Sequence, residues 1–318
     1  MIQLMNWQII SVSLRRLSVF LAVCETLHIA RAAEKLGVAQ PALSQQIRSL
    51  EEALGVSLFY RRKRGIDLTE AGHACRVEAQ QLLENHNLLV DKVRRVARGE
   101  VGQLAIGHVS SALAGKVFPN HLRHMQHSFP EMQLLLHEKS ISGLVAAILA
   151  KDLDVAIVRD LETVPKTCTT RRYLTEKLFI ILPETHSLAA RHILSLTDIR
   201  DEPLIGFQDP DQVGITQIVQ KIARKNGNSI HIAWTASNTG GILGMVLGGL
   251  GIAIVAESVT ELLPKGLVAR VLDDPEAVSN LWIIWNTEQV SPALQHFLDL
   301  QQVPVATRTP FSKASDVR

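Results

Sequence analysis

Cysteine is scarce in this chain. Only Cys24, Cys75 and Cys168 occur in 318 residues, odd in number and far apart. That excludes a disulfide framework and any CxxC-type metal cage. Long hydrophobic runs are missing too. The longest, "GGILGMVLGGLGIAIVA" (240–256), is interrupted by glycines and falls short of the roughly 20 residues a bilayer-crossing helix needs. The opening "MIQLMNWQIISVSLRR" has no basic stretch ahead of its apolar part and no small-residue cleavage site, so it does not read as a secretory signal. A reducing cytoplasm and no membrane association are the expectation. Catalytic signatures are also lacking. "GGLG" (248–251) carries neither the GKS/GKT of a P-loop nor a full GxGxxG. His121, His124 and His127 in "HLRHMQH" have no carboxylate to complete a ligand set. No nucleophile–base pair stands out, so the reading is of a non-enzyme without metal or cofactor.

What the chain does have is 47% hydrophobic residues, enough to bury two or three cores. Its formal charge of +2 is unevenly spread. Residues 15–98 carry 14 Lys and Arg against 9 Asp and Glu, and the remainder carries 19 against 22. A basic head on a slightly acidic body suits a polyanion partner.

The head reads as three helices and a hairpin. "LRRLSVFLAVCETLH" sets Leu14, Leu17, Phe20, Leu21 and Val23 or Cys24 on one stripe, and "IARAAEKLG" is short, alanine-rich and closed by Gly37. Small Ala32 and Ala33 let two helices cross closely, as a helix-turn-helix requires. In "VAQPALSQQIRSLEEALG" (38–55), Leu43, Ile47, Leu50 and Leu54 recur at four, three and four residues. Pro41 suits a first helical turn. Over its first turns the other faces show Gln40, Ala42, Ser44, Gln45 and Arg48, and carboxylates appear only at Glu51 and Glu52 near its end. Such side chains exchange hydrogen bonds with base edges, where Glu would be repelled by phosphate. "LGVSLFYRRKRGIDLTEAG" then places Arg61, Arg62, Lys63 and Arg64 at the tip of a two-stranded wing, where cations meet phosphates or a minor groove.

From Thr69, an N-cap residue, Cys75, Ala79, Leu82, His86, Leu89, Val93 and Val96 follow at alternating spacings of four and three. That three-heptad seam favours a paired helix. Gly99 and Gly102 mark a hinge after it. Residues 103–300 alternate apolar runs with amphipathic stretches, the pattern of an α/β sheet. The strand-like runs are "QLAIGHV", "MQLLLHE", "DVAIV", "KLFIILP", "PLIGF", "IHIAW", "GIAIVA" and "LWIIW". Four strand ends run into polar helix starts: "HVSSALAG", "HEKSISG", "GFQDPDQVG" and "TASNTGG". Helix N-termini carry unpaired N–H groups that hold small anions, and Ser110, Ser111, Ser140, Ser142, Gln208 and Asn238 add hydrogen bonds there.

"FLAVCETLHIARAAEKLGVAQPALSQQIRSLEEALGVSLFYRRKRGIDLTEAG" resembles the winged helix-turn-helix of LysR-type transcriptional regulators. Phe20, Val23, Glu25, Ala32-Ala33, Leu36, Gln40, Ser44, Ile47, Leu50-Glu51, Leu54-Gly55, Leu58-Phe59, Arg61, Leu68-Thr69 and Ala71-Gly72 carry the match. Ala30 departs from it, since the family often has Thr or Ser there. The family begins close to Leu14, which leaves the first dozen residues as an extension or a misplaced start. The resemblance implies a winged helix-turn-helix over 14–72, a dimerising linker helix over 69–98 and a two-lobed α/β effector domain over 99–303. That domain would resemble periplasmic solute-binding proteins, with lobe I about 101–163 and 268–303 and lobe II about 164–267. Residues 304–318 read as a disordered tail. It also implies promoter DNA, RNA polymerase and a small-molecule effector as partners, and a homodimer paired into a dimer of dimers. Ala79, Leu82, His86, Leu89 and Val93 would form the dimer seam. Arg159, after "DVAIV", resembles the arginine that regulators of aromatic-acid breakdown have there, which suggests an aromatic or dicarboxylic acid as effector. Ile141 departs from that subgroup, which tends to have a hydroxyl residue. The alternative is a small-molecule-binding protein with a vestigial helix-turn-helix.

Overall fold

The computed structural model describes residues 12–62, 65–161, 163–208, 213–227 and 229–300. Lys63, Arg64 and the 304–318 tail lie outside them. The chain divides at Arg94/Arg95 into two compact units.

In the first unit, α1 (Leu14–Thr26), α2 (Ile29–Leu36) and α3 (Gln40–Leu54) precede an antiparallel hairpin of β1 (Phe59–Arg62) and β2 (Gly65–Leu68). Gly37 and Gly55 close α2 and α3 in the left-handed conformation, φ 64° and 69°, which lets their N–H groups return to the last helical carbonyls. Pro41 sits in the first turn of α3. Phe20, Val23, Ala32, Ala33, Leu43, Ile47 and Leu50 form one core. Leu54, expected with them, is 39% exposed. No side chain caps α2, as the alanine at position 30 and His28 before it would lead one to expect. Glu51 has a structural part that its spacing did not reveal. Its carboxylate accepts the N–H groups of Leu58 (2.7 Å) and Phe59 (3.3 Å), tying the wing to α3.

α4 (Glu70–Ala97) is 28 residues long. Thr69 caps it, accepting the N–H of Gly72 at 2.9 Å. Ala79, expected in the dimer seam, is only 1% exposed and belongs to the head core. Heptad spacing shows that a position is covered, not what covers it. From Leu82 onward the seam is open: Leu82, His86, Leu89 and Val93 are exposed. Gly99, expected as a hinge, is a close-packing position instead. At φ 70° it lies so near α9 (Pro292–Leu300) that an added Cβ would sit 2.4 Å from the Ala293 nitrogen.

The second unit is one continuous sheet of ten strands. β3 (Gly102–His108) runs parallel between β4 (Met132–Glu138) and β5 (Val155–Arg159), and β12 (Val278–Asn286) pairs β5 antiparallel. β6 (Cys168–Pro183) spans both lobes. Its residues 168–177 pair with β12, and its residues 178–183 pair with β10 (Ile252–Ala256) and β11 (Leu267–Leu272). β8 (Leu204–Phe207) joins β10 to β9 (Ile232–Ala236), all parallel, and β7 (Ile193–Leu194) pairs β11. The eight strands expected from the sequence are all present. The crossovers fall elsewhere than at 163/164 and 267/268, because residues 168–177 still pair within lobe I and β11 pairs within lobe II. α5 (Val117–Ser128) and α6 (Ile141–Leu149) pack on the first lobe, α7 (Ile215–Lys225) and α8 (Thr239–Leu247) on the second. All five residues of β10 are buried, as a strand covered on both faces requires.

His121 belongs to the first lobe's core. It stacks on Phe297 at 4.2 Å. Because a carbonyl can only accept, Nε2 carries the proton and donates to Phe297 O (2.9 Å), leaving Nδ1 to accept from the Tyr173 hydroxyl (3.1 Å). With both nitrogens engaged, His121 is a packing residue. Burial lowers its pKa from 6.5 to about 4. Between those values the unfolded chain takes up a proton that the folded chain refuses, so stability falls as pH drops through that window. Thermal midpoints measured across it are expected to decline for the native chain and to be flatter for His121→Gln.

Candidate functional site

The C-terminal ends of parallel strands gather the polar residues of the second unit, the usual ligand position in open α/β sheets. β3 leads into a short 3-10 turn at Ser110–Leu113, β4 into Lys139 and Ser140, β5 ends on Arg159, and β8 is followed by Gln208. A cavity opens among Ser110, Ser111, Lys139, Ser140, Arg159 and Gln208 on its polar side and Val109, Ile141, Phe207, Val213 and Ile215 on its apolar side. Gly214 and Ser237 complete the wall. Of the residues expected here, Ser142 and Asn238 stand outside the lining. Asn238 caps α8 through Gly241 N (2.8 Å), and the Ser142 hydroxyl bonds to that of Ser140 (3.3 Å). Lys139 was missed, although it lies within the quoted "HEKSISG"; an exposed lysine at a strand end carries no periodic signal. The first turns of α6 and α7 both border the cavity, so two positive helix ends face it.

The floor is a buried charged network. Arg159 is 3% exposed and donates through Nε to Ser111 (3.1 Å), through one terminal nitrogen to Ser279 (2.8 Å) and through the other to Glu176 (2.8 Å). Glu176 accepts the Ser258 N–H with its second oxygen (2.8 Å). Arg159 was expected to meet an effector carboxylate; it lines the cavity, with its charge paired to Glu176 within the chain. Ser279 also donates to Asp160. Burial raises the Asp160 carboxyl pKa, opposed by its bonds from Asn280 and Ser279 and by the charge of Arg159. Ser110 crosses to the second lobe, accepting the Thr239 N–H at 3.1 Å. These bonds fix Ser110, Ser111 and Arg159 without freedom to swing, a preorganised wall.

On the head, Gln40, Pro41, Ala42, Gln45 and Arg48 are exposed along one side of α3, and Ser44 is half-buried beside them. No acidic residue lies in the first turn of α3. On the wing, Arg61 is exposed. Arg62 pairs across the hairpin with Asp67 (2.8 Å) and lies 5.8 Å from the centre of the Tyr60 ring.

Residues 97–302 match the family described as LysR substrate binding domain, and residues 14–73 match the lysR family of bacterial regulatory helix-turn-helix proteins. The chain belongs to the LysR family of transcriptional regulators. Among its relatives, the HTH-type transcriptional regulator XapR of Escherichia coli (strain K12) is 32% identical over 286 residues, covering 90% of this chain and 96% of XapR. The HTH-type transcriptional regulator AlsR of Bacillus subtilis (strain 168) is 30% identical over 308 residues, covering 95% and 99%. The structure of CbnR, a LysR family regulator, in complex with its target DNA superposes with a TM-score of 0.80 at 26% identity, covering 92% of this chain and 99% of CbnR. This LysR-family regulator therefore pairs a DNA-binding head with an effector-binding domain. No helix among its described residues is long and apolar enough to cross a membrane.

Proposed function

We propose that this regulator is controlled by a small carboxylic acid with an apolar body, bound in the cavity at the β3, β4, β5 and β8 ends. One observation carries that reading: the cavity has two chemistries. Lys139, Ser140 and the first turns of α6 and α7 offer positive potential and donors at one side. Val109, Ile141, Phe207, Val213 and Ile215 line the other. Arg159 supports the site from below, its own charge already compensated by Glu176. The regulator acts in the cytoplasm as a homodimer joined through Leu82, His86, Leu89 and Val93, itself paired into a dimer of dimers. Gln40, Pro41, Ala42, Ser44, Gln45 and Arg48 read bases. Arg61, Arg62, Lys63 and Arg64 meet phosphates. The complex delivers its signal to RNA polymerase at the promoter.

The test is a thermal-shift panel of carboxylates against matched neutral amides, since a ligand bound only by the folded state raises its midpoint. Carboxylates are expected to stabilise the protein and amides not to. Because Lys139 is exposed, Lys139→Ala is expected to weaken carboxylate binding by up to about fivefold. Equal shifts from acids and amides would sink the assignment.

A further inference from the structure

Behind the apolar wall of the effector cavity lies a second space. A small recess opens between α7 and the strands beneath it, lined by Leu204, Ile205, Gly206, Phe207, Ile215, Thr216, Val219, Ile232 and Ile254. Phe207 and Ile215 line both spaces. Protein interiors are normally close-packed, and a void under a helix leaves its lining without contact partners. Among the described lining residues Thr216 supplies the one side-chain polar atom, so water has few partners here. The space suits carbon.

Gly206 is placed to control it. It is buried in β8, and a glycine inside a strand often marks the close approach of a ligand or another chain segment. A Cβ built on it would lie 3.2 Å from Ile232 Cγ2 and 3.4 Å from Thr216 Oγ1. Both partners line the recess, so a methyl group there would take up part of it. We infer that the recess is a specificity pocket for a short unbranched alkyl arm of the effector, with Gly206 setting its length.

This rests on the carboxylate reading of the main cavity and deepens it: the carboxylate stays beside Lys139 and Ser140 while the arm passes Phe207 and Ile215. Each methylene buried in such a place is expected to raise affinity about fourfold until the recess is full. The experiment titrates full-length protein with the straight-chain acids from acetate to hexanoate, by ligand-observed NMR. Its readout is the affinity of each acid relative to acetate within one variant, which cancels any general loss of folded protein. The native chain is expected to show a stepwise rise that levels off, Gly206→Ala a rise that stops earlier, and Ile232→Ala a rise that continues to longer acids. A flat series, or a Gly206→Ala series like the native one, would overturn the recess while leaving the main cavity intact. If no acid binds at all, acetate included, the carboxylate reading itself falls and takes the recess with it.

Discussion

Arg159→Ala is expected to destabilise the effector domain by about 3–5 kcal/mol, the usual cost of leaving one member of a buried ion pair without its partner. The side chains of Arg159 and Glu176 are 4% and 6% exposed, and 2.8 Å separates their charged atoms. Removing the guanidinium strands the Glu176 carboxylate with only the Ser258 N–H, and deprives Ser111 and Ser279 of a fixed donor. Because the pair contributes through mutual compensation more than net attraction, Arg159→Met/Glu176→Gln should lie closer to the native chain than Arg159→Ala does. The Gln keeps a carbonyl for Ser258, and neither position of the pair is left with a lone buried charge. Urea unfolding followed through the effector-domain transition measures all three proteins. A loss under 1 kcal/mol for Arg159→Ala would mean that water reaches the pair and that it does not brace the cavity.

The second large effect concerns DNA. Gln45→Ala is expected to lower discrimination between the operator and a mismatched duplex by about 1–3 kcal/mol, roughly fivefold to 150-fold, because a well-placed amide bonds a base edge at two atoms. Gln45 is exposed on α3 among neighbours without carboxylates, and nothing in the head core depends on it. Arg61→Ala should act differently. A phosphate contact carries no sequence information, so binding to every duplex weakens together and the slope of log K against log salt shrinks by about one. Fluorescence anisotropy with two duplexes at several salt concentrations separates the two behaviours. A loss confined to one sequence for Arg61→Ala would exchange their roles.

The helix-turn-helix was legible in the sequence because its information is local: Gly37, Pro41 and the apolar spacing of α3 lie within twenty residues of one another. Buried strands such as "IAIVA" were equally plain. The early part of β6, "TTRRYLTEK", was not, since a strand that leaves one lobe for the other is half-exposed and mixes polar with apolar residues. β11 was missed for the same reason. Arg159 was visible at its strand end, but its partner was not. Glu176 comes 17 positions later, and only the pairing of β5 and β6 on either side of β12 brings the two together. Ala79 and Gly99 show the same limit, because each is covered by residues that spacing along its own helix cannot reveal. The cavity's polar wall followed from strand-end logic, whereas the recess beneath α7 depends on how Thr216 and Ile232 face Gly206 across three elements.

The most direct test of the whole account is the binding of the native chain to a duplex from its own promoter and to a scrambled duplex of equal length, across a range of salt. A steep negative slope of log K with log salt is expected for both duplexes, together with a preference for the promoter of at least about a thousandfold. Equal affinity for the two duplexes, or affinity indifferent to salt, would contradict it and leave the helix-turn-helix without its function.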